Sequence, residues 1–376
     1  MKIFLIAGEP SGDLHGKNLV RALRQAHPGD IDLRGVGGDG LEAEGMHLVR
    51  HIRETNFMGF VQVLQNLGKI RQLFRDVKAD VLAFQPDVVI LIDYPGFNLR
   101  LAKFLHRHGI KVFYYISPQV WAWKRSRVRK VKQFVDRMYV ILPFEKPFYA
   151  EDGLEVDFVG HPLLDEIKPD AYRGAELRDR LLGEGQQLVA LLPGSRKQEI
   201  SRMLPAMLEV LPQFPQCRFV VGGAPTQDLA FYRRIIGDRE VPVVIGQTYD
   251  LLDAADAALV TSGTATLETA LFRVPEAVCY AGGALSVFLA RRLIKVKYIA
   301  LVNLVLDRLA VREFIQKDLN PDLLGAELRR LLEDPERRAT LARDYAELRQ
   351  RLGDEGASKR AAHLMLKRLG QSVASS

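Results

Sequence analysis

Short runs of aliphatic and β-branched residues alternate with amphipathic stretches along nearly the whole chain. Lys2–Ala7, Ile31–Val36, Asp87–Ile92, Lys111–Ile116, Met138–Leu142 and Val156–Val159 predict one set of strands. Leu188–Leu192, Arg218–Val221, Val241–Ile245, Ala257–Thr261 and Glu276–Tyr280 predict a second. Runs such as DVVILI and LVALL have no polar face, which is the pattern of parallel strands covered by helices on both sides. The pattern restarts near Gln187, after a polar stretch from Lys168 to Gly185. The expected fold is α/β: two doubly wound, Rossmann-like domains facing across a cleft. A helical C-terminal segment follows, in which Asn320 caps a helix opened by Pro321. The domain limits expected are 1–165, 166–335, and C-terminal helices over 336–376 packing back on the first domain or on a partner subunit.

Composition narrows the class without choosing a function. The 376 residues are 48% hydrophobic and 26% charged, which excludes a disordered or fibrous chain. Lys and Arg number 53 against 46 Asp and Glu, so the net charge is +7 and an anionic partner is expected. The two cysteines, Cys217 and Cys279, sit in apolar runs and read as free thiols of a reducing compartment. Only a run of five apolar residues, Ile3–Ala7, precedes Gly8, too few for a secretory core. The longest charge-free runs, Thr55–Gly68 and Ala277–Ala290, have 14 residues where a spanning helix needs roughly 18 or more. A cytoplasmic protein with peripheral membrane contact is expected.

In open α/β sheets, ligands bind beyond the carboxyl ends of the strands, so chemistry is sought in the loops there. Gly8-Glu9-Pro10-Ser11-Gly12-Asp13 follows the first strand and offers glycines, an acid and a helix start. It does not fit the Walker A spacing. Gly35–Gly40 fits G-x-G-x-x-G, but after the second strand, and reads as a turn rather than a nicotinamide site. Asp93 ends an otherwise apolar strand; it reads as a general base or as a helix cap. Ser117–Trp123 holds both tryptophans and leads into Lys124, Arg125, Arg127, Arg129, Lys130 and Lys132. That run is either a solvated basic helix or an anion-attracting surface. In the second half, Pro193-Gly194-Ser195-Arg196 opens a helix and suits a phosphate. Thr261–Glu268 places hydroxyls and a glycine before a helix, which suits a diphosphate, with Glu268 placed to accept from ribose hydroxyls. The Asp30-Ile31-Asp32 pair lies at the start of a strand, the wrong edge for a metal-diphosphate site. Phe60, Val63, Leu64, Leu67, Ile70, Phe74 and Val77 form an apolar stripe at helical spacing, with Phe57, Met58 and Val61 adding apolar bulk, beside Lys69, Arg71, Arg75 and Lys78. Such a stripe is either core or a membrane and acyl-chain contact. A similar mixture recurs over 288–306, with Arg291, Arg292, Lys295 and Lys297.

The motifs GEPSGD, IDYPGFN, SPQVWAW, LPFE, GHPLLD, LLPGSR and SGTATLE occur in that order, and together the chain resembles the lipid-A-disaccharide synthases over about residues 3–320. The resemblance implies a GT-B-type inverting glycosyltransferase. Such enzymes join UDP-2,3-diacylglucosamine to 2,3-diacylglucosamine 1-phosphate (lipid X), giving a β-1,6-linked disaccharide and UDP. It implies that Asp93 deprotonates the acceptor 6-hydroxyl and that Ser195 and Arg196 hold the diphosphate. Ser262, Gly263, Thr264 and Glu268 would hold UDP, and Gly8, Glu9, Ser11, Gly12 and Asp13 would line the substrate cleft. Asn303 falls in a family Pro-Asn-Leu segment, although Val302 stands where proline is usual; Pro10 replaces a common alanine. The resemblance implies no cofactor and no metal. The expected partners are the two lipid substrates and the anionic cytoplasmic face of the inner membrane, with no nucleic acid and with a homodimer as an option. Alternatives on the same pattern are a UDP-sugar 2-epimerase or hydrolase, and a non-enzymatic anionic-surface binder.

Overall fold

The computed structural model describes residues 1–55, 67–123, 125–168, 171–282 and 297–371. The chain divides into two compact units, 1–165 with 352–376 and 166–351. The 336–376 segment is therefore shared between them.

The first unit is built on a seven-stranded sheet. Its strands are β1 (Lys2–Ala7), β2 (Asp32–Gly37), β3 (His47–His51), β4 (Val88–Ile92), β5 (Val112–Tyr115), β6 (Arg137–Val140) and β7 (Asp157–Phe158). Their order is β3-β2-β1-β4-β5-β6-β7, and all pairs are parallel. Alternation along β1 explains the continuous apolar run. Phe4 and Ile6 join one buried cluster with Val89 and Leu91, while Ile3, Leu5 and Ala7 join the cluster on the other face with Ile90 and Ile92. The second cluster is completed by the helix Ala357–Arg368, whose Ala361, Ala362, Met365 and Leu366 pack with Leu19, Val20 and Leu23 of the helix Pro10–Ala26.

The second unit holds β8 (Gln187–Leu192), β9 (Cys217–Gly223), β10 (Val243–Ile245), β11 (Ala257–Thr261), β12 (Glu276–Tyr280) and β13 (Arg312–Ile315). They form a parallel sheet ordered β10-β9-β8-β11-β12-β13. The helices Pro321–Glu333 and Pro335–Arg351 follow, and Asn320 caps the first by accepting from the Leu323 N–H at 3.0 Å.

Two strands carry no apolar-run signal. HLVRH (β3) and REFI (β13) are edge strands with mostly half-exposed positions, so their sequences are mixed rather than apolar. The strand order reverses once in each sheet, between β1 and β4 and between β8 and β11. At such a reversal the loops leaving the two carboxyl ends diverge to opposite faces and open a crevice for a ligand. The Gly8 and Asp93 loops flank the first reversal; the Pro193–Arg196 and Ser262–Glu268 loops flank the second.

Candidate active site

In the first unit the Asp93 loop has an unusual backbone. Asp93 and Tyr94 are both left-handed, with φ of 43° and 47°, a conformation that costs an ordinary residue on the order of 1–3 kcal/mol. Its neighbours hold it there. The Asp93 N–H donates to the Tyr115 carbonyl at 3.2 Å. The Asp93 carbonyl accepts from the fully buried Asn98 Nδ2 at 2.8 Å and from the Tyr114 hydroxyl. Asn98 Nδ2 also donates to the Ile92 carbonyl at 3.2 Å. The half-buried Asp93 side chain is thus carried on a rigid corner immediately after β4. Burial, and then the nearby Asp93 charge, push the Tyr114 hydroxyl well above its ordinary pKa, so Tyr114 stays a protonated donor. The following helix, Pro95–Arg107, has Tyr94 and not Asp93 at its cap position, and Tyr94 makes no side-chain cap bond.

The first loop divides into two jobs. Gly8 is buried, Glu9 precedes the helix Pro10–Ala26, and Ser11 is exposed at its first turn. Gly12 packs against Ala7 and Ile92. Asp13 instead turns inward, and its carboxylate accepts from the N–H groups of Gly38 at 2.6 Å, Gly40 at 2.9 Å and Leu41 at 3.2 Å. This explains the second glycine run. A Cβ on Gly38 or Gly40 would stand 2.9 or 2.6 Å from Asp13 Oδ2, and one on Gly35 would lie 1.8 Å from the Leu5 carbonyl oxygen. The G-x-G-x-x-G match thus serves strand pairing and a carboxylate clasp.

The loops after β5 and β6 are also joined. Glu145, almost wholly buried, accepts from the Leu142 N–H at 2.9 Å and the Ile141 N–H at 3.2 Å. Ser117 Oγ lies 2.7 Å from the Tyr149 hydroxyl. Burial pushes Glu145 up to about 7, against the pull of the Leu142 N–H, the Ser117 hydroxyl, the Ile141 N–H and the Trp121 indole. His161, of the GHPLLD motif, is buried and held down to about 3 by burial and by His15, so it is neutral; its Nδ1 accepts from the Leu163 N–H at 3.2 Å. The basic run is partly neutralised at home. Arg125 pairs with Glu151 at 2.8 Å and Asp152 at 3.0 Å, and Lys132 donates to the Asp152 carbonyl at 3.0 Å. Arg129 and Lys130 are exposed.

In the second unit, Ser195 and Arg196 are exposed at the start of the helix Lys197–Leu208. Gly194 has φ of 99°, and a Cβ there would stand 2.8 Å from Glu199 Oε2. Glu199 accepts weakly from the Arg196 N–H and pairs with its guanidinium, both at 3.4 Å. The guanidinium thus stands beside several N–H groups of a helix start, an anion-binding arrangement. After β11, Ser262 Oγ donates to the Ile299 carbonyl at 2.8 Å. Gly263 and Thr264 are exposed at the start of the helix Thr264–Leu271. Glu268, a turn further on, accepts from the Tyr249 hydroxyl at 3.3 Å. Burial, reinforced by Glu268, keeps Tyr249 protonated.

Asn303 is wholly buried, and protein groups meet its polar atoms. Nδ2 donates to the Val311 carbonyl and to Glu313 Oε1, each at 2.8 Å; Oδ1 accepts from the N–H groups of Ala310 at 2.8 Å and Val311 at 2.9 Å. Glu313 in turn accepts from the Ile299 and Ala300 N–H groups at about 3 Å. The Asn303–Glu313 pair therefore shapes the segment to which Ser262 is tied. Tyr114, Tyr249 and Glu313 escape a sequence reading, because each is contributed by a strand or helix remote from the motif it supports. Glu145 had a signal, the LPFE motif.

Phe57, Met58, Phe60, Val61, Val63, Leu64, Lys124, Arg291, Arg292 and Lys295 lie outside the described residues. Leu67 begins the helix Leu67–Phe84, of which Leu73 and Val77 are core. Asp32 begins β2, at the amino end of the sheet. Among the described residues, no helix is long and apolar enough to cross a membrane.

Comparison with known proteins gives these loops a common setting. The family model for lipid-A-disaccharide synthetase matches residues 3–367. The chain is 43% identical over 371 residues to the lipid-A-disaccharide synthase of Syntrophus aciditrophicus, covering 97% of each chain. It is 40% identical over 375 residues to that of Myxococcus xanthus, covering 98% and 97%. Among solved structures, the fold resembles the UDP-GlcNAc 2-epimerase of Neisseria meningitidis bound to UDP-GlcNAc, with a TM-score of 0.68, 13% identity, and coverage of 98% of this chain and all of that one. It also resembles the calicheamicin glycosyltransferase CalG4, with a TM-score of 0.59, 15% identity, and coverage of 98% of both. At those identities the likeness concerns the fold alone, which is the GT-B arrangement of two parallel-sheet domains. By the match across its length, the chain belongs to the lipid-A-disaccharide synthase family of glycosyltransferases.

Proposed function

We propose that the first unit binds lipid X and the second binds UDP-2,3-diacylglucosamine, and that Asp93 is the general base of a single inverting displacement. The Asp93 carboxylate takes the proton of the acceptor 6-hydroxyl as that oxygen attacks the donor anomeric carbon. The bond from that carbon to the UDP oxygen breaks, and the products are a β-1,6-linked disaccharide 1-phosphate, UDP and a proton. The leaving diphosphate carries its charge to Arg196, Ser195 and the N–H groups that open Lys197–Leu208 and Thr264–Leu271. Glu268, oriented by Tyr249, accepts from the ribose hydroxyls. Ser262, Gly263 and Thr264 shape the turn around UDP. Gly8, Glu9, Ser11 and Gly12 line the acceptor crevice beside Asp93, while Asp13 and Asn303 hold their loops in shape.

The observation that carries this reading is that the family's motif loops coincide with the strand-order reversals of both sheets. The deciding experiment is a product assay with UDP-2,3-diacylglucosamine and lipid X. The disaccharide and UDP should form only when both substrates are present, and Asp93→Asn should abolish transfer while UDP binding persists. Retained transfer in Asp93→Asn would remove Asp93 from the role of base. The 2-epimerase alternative is supported by fold likeness alone; turnover of UDP-N-acetylglucosamine without an acceptor would favour it. We further propose that the chain meets its acylated substrates at the anionic cytoplasmic face of the inner membrane, through exposed bases such as Arg129 and Lys130. Flotation with anionic vesicles should weaken with salt and be absent with neutral ones.

A further inference from the structure

Glu145 is a buried carboxyl with no substrate-facing role in the mechanism above, yet it stands where three strand ends meet. β4, β5 and β6 are adjacent in the sheet, and their loops carry Asp93, Ser117 and Glu145. The Asp93 corner is tied to β5 through the Tyr115 carbonyl and the Tyr114 hydroxyl. The next residue, Ile116, is left-handed at φ 64° and is tied to β6 through the Tyr139 carbonyl at 3.0 Å. Ser117 then turns into the protein, 7% exposed, with its hydroxyl against Tyr149, which is itself wholly buried. The Glu145 carboxyl takes two N–H groups of its own loop and so fixes the turn from which Phe144 and Tyr149 reach the β5 loop. Trp121 meets Phe144 edge-on at 5.0 Å, so the two loops share an aromatic contact as well. The groups acting on Glu145 are those N–H groups, Ser117, Trp121 and Tyr149, all uncharged in their ordinary state. A purely structural core position would be filled more cheaply by an apolar side chain of similar volume.

We propose that Glu145 is a positioning residue for the acceptor: by fixing its own turn it sets Phe144 and Tyr149 against the Ser117–Trp121 loop and holds that loop in register beside the Asp93 loop, so that the acceptor sugar is seated against the base. The proposal rests on the assignment of the acceptor to the first unit.

The test measures steady-state transfer with lipid X and UDP-2,3-diacylglucosamine for Glu145→Ala, Glu145→Gln and Ser117→Ala, together with UDP affinity. Glu145→Ala should raise the KM for lipid X about tenfold or more while leaving the donor KM and UDP affinity within about twofold. Ser117→Ala should shift the same parameter less. Glu145→Gln keeps an acceptor for the two N–H groups and should recover most of the loss. A general loss of folded protein would instead lower kcat with both KM values unchanged, and that result, or an unchanged lipid X KM in Ser117→Ala, would overturn the proposal. Should Glu145→Ala fail to fold, Ser117→Ala still decides it. Asp93→Asn, assayed in parallel, tests the assignment underneath: retained transfer there would fault the base and leave the lipid X KM pattern to be read separately.

Discussion

The ring of Tyr94 occupies the space a side chain on Gly8 would need: a Cβ built on Gly8 would stand 2.3 Å from Tyr94 Cδ1 and 2.4 Å from Cγ. The two residues belong to the loops on either side of the strand-order reversal in the first sheet. Tyr94 also stacks on Phe97 at 5.7 Å, so the ring is braced from the helix side. Gly8→Ala must displace the ring and, with it, the left-handed pair Asp93–Tyr94. We expect a stability loss of about 1–3 kcal/mol by urea denaturation and a fall in kcat of about tenfold or more. Tyr94→Ala opens the space, so Gly8→Ala should cost less in that background. A double-mutant cycle with no coupling would show that the ring yields freely.

Asp13 joins two loops through three N–H groups. Asp13→Ala leaves Gly38, Gly40 and Leu41 without their acceptor, and the site is only 8% exposed at Asp13. The expected cost is about 3 kcal/mol in unfolding free energy. Hydrogen exchange of these three amides should accelerate before that of β1. Unchanged protection would mean that another group accepts from them.

Much of this architecture is legible in the chain, and the exceptions have a physical cause. β1, β4, β8 and β11 announce themselves because central parallel strands are buried on both faces. β3 and β13 do not, because an edge strand needs only part of that burial. The motif loops are visible as glycines, hydroxyls and acids in short runs, but their internal partners are remote. Asp13 and Gly38 are 25 residues apart, and Tyr249 and Glu268 are 19 apart. Sequence therefore shows Asp13 as one more polar group in a candidate loop. Only the folded chain shows its carboxylate turned to the main chain. Asn303 reads the same way until Glu313 and Val311 are seen around it.

Asn303 offers a test in which the more conservative change is the worse one. Asn303→Ala removes two donors and two acceptor contacts from a wholly buried site. Asn303→Asp keeps the acceptor side but sets a carboxylate oxygen against Glu313 Oε1 and the Val311 carbonyl, each 2.8 Å from the present amide nitrogen. In the aspartate variant, repulsion between facing acceptors is added to the loss of both amide N–H bonds. Asn303→Asp should therefore melt below Asn303→Ala at neutral pH, and the gap should narrow on acidification as a carboxyl takes up a proton. Equal melting at both pH values would contradict the repulsion.

Arg196 separates ligand binding from stability. Its contact with Glu199 is a 3.4 Å pair at the surface, with a side chain more than half exposed, and such pairs contribute little to folding. Arg196→Ala should change unfolding free energy by less than about 0.5 kcal/mol. Its kcat/KM for the UDP donor should nevertheless fall about 100-fold or more, as expected for a charge that stabilises a developing diphosphate. Arg196→Lys should recover only part of that, because an ammonium lacks the two-pronged geometry. Full activity in the alanine variant would move the diphosphate to the helix N–H groups alone.

The last expectation concerns pH and isolates Glu145. Its folded pKa of about 7 lies above the ordinary 4.5, so the folded protein holds this proton more tightly than the unfolded chain does. Between those values the folded state binds more protons, and unfolding free energy falls as pH rises. A shift of that size corresponds to about 3 kcal/mol, present below pH 4.5 and lost by about pH 8. Glu145→Gln cannot ionise, so the difference in stability between the variant and the parent should move in the variant's favour by that order as pH is raised from 5 to 8. His161 works in the opposite direction: held near 3 instead of 6.5, it costs stability as pH falls below 6.5. That contribution is common to both proteins and cancels in the difference. Urea denaturation of the pair at several pH values reads the Glu145 contribution directly. Parallel stability curves would mean that the carboxyl ionises in the fold as easily as in water, and that its burial exacts no penalty.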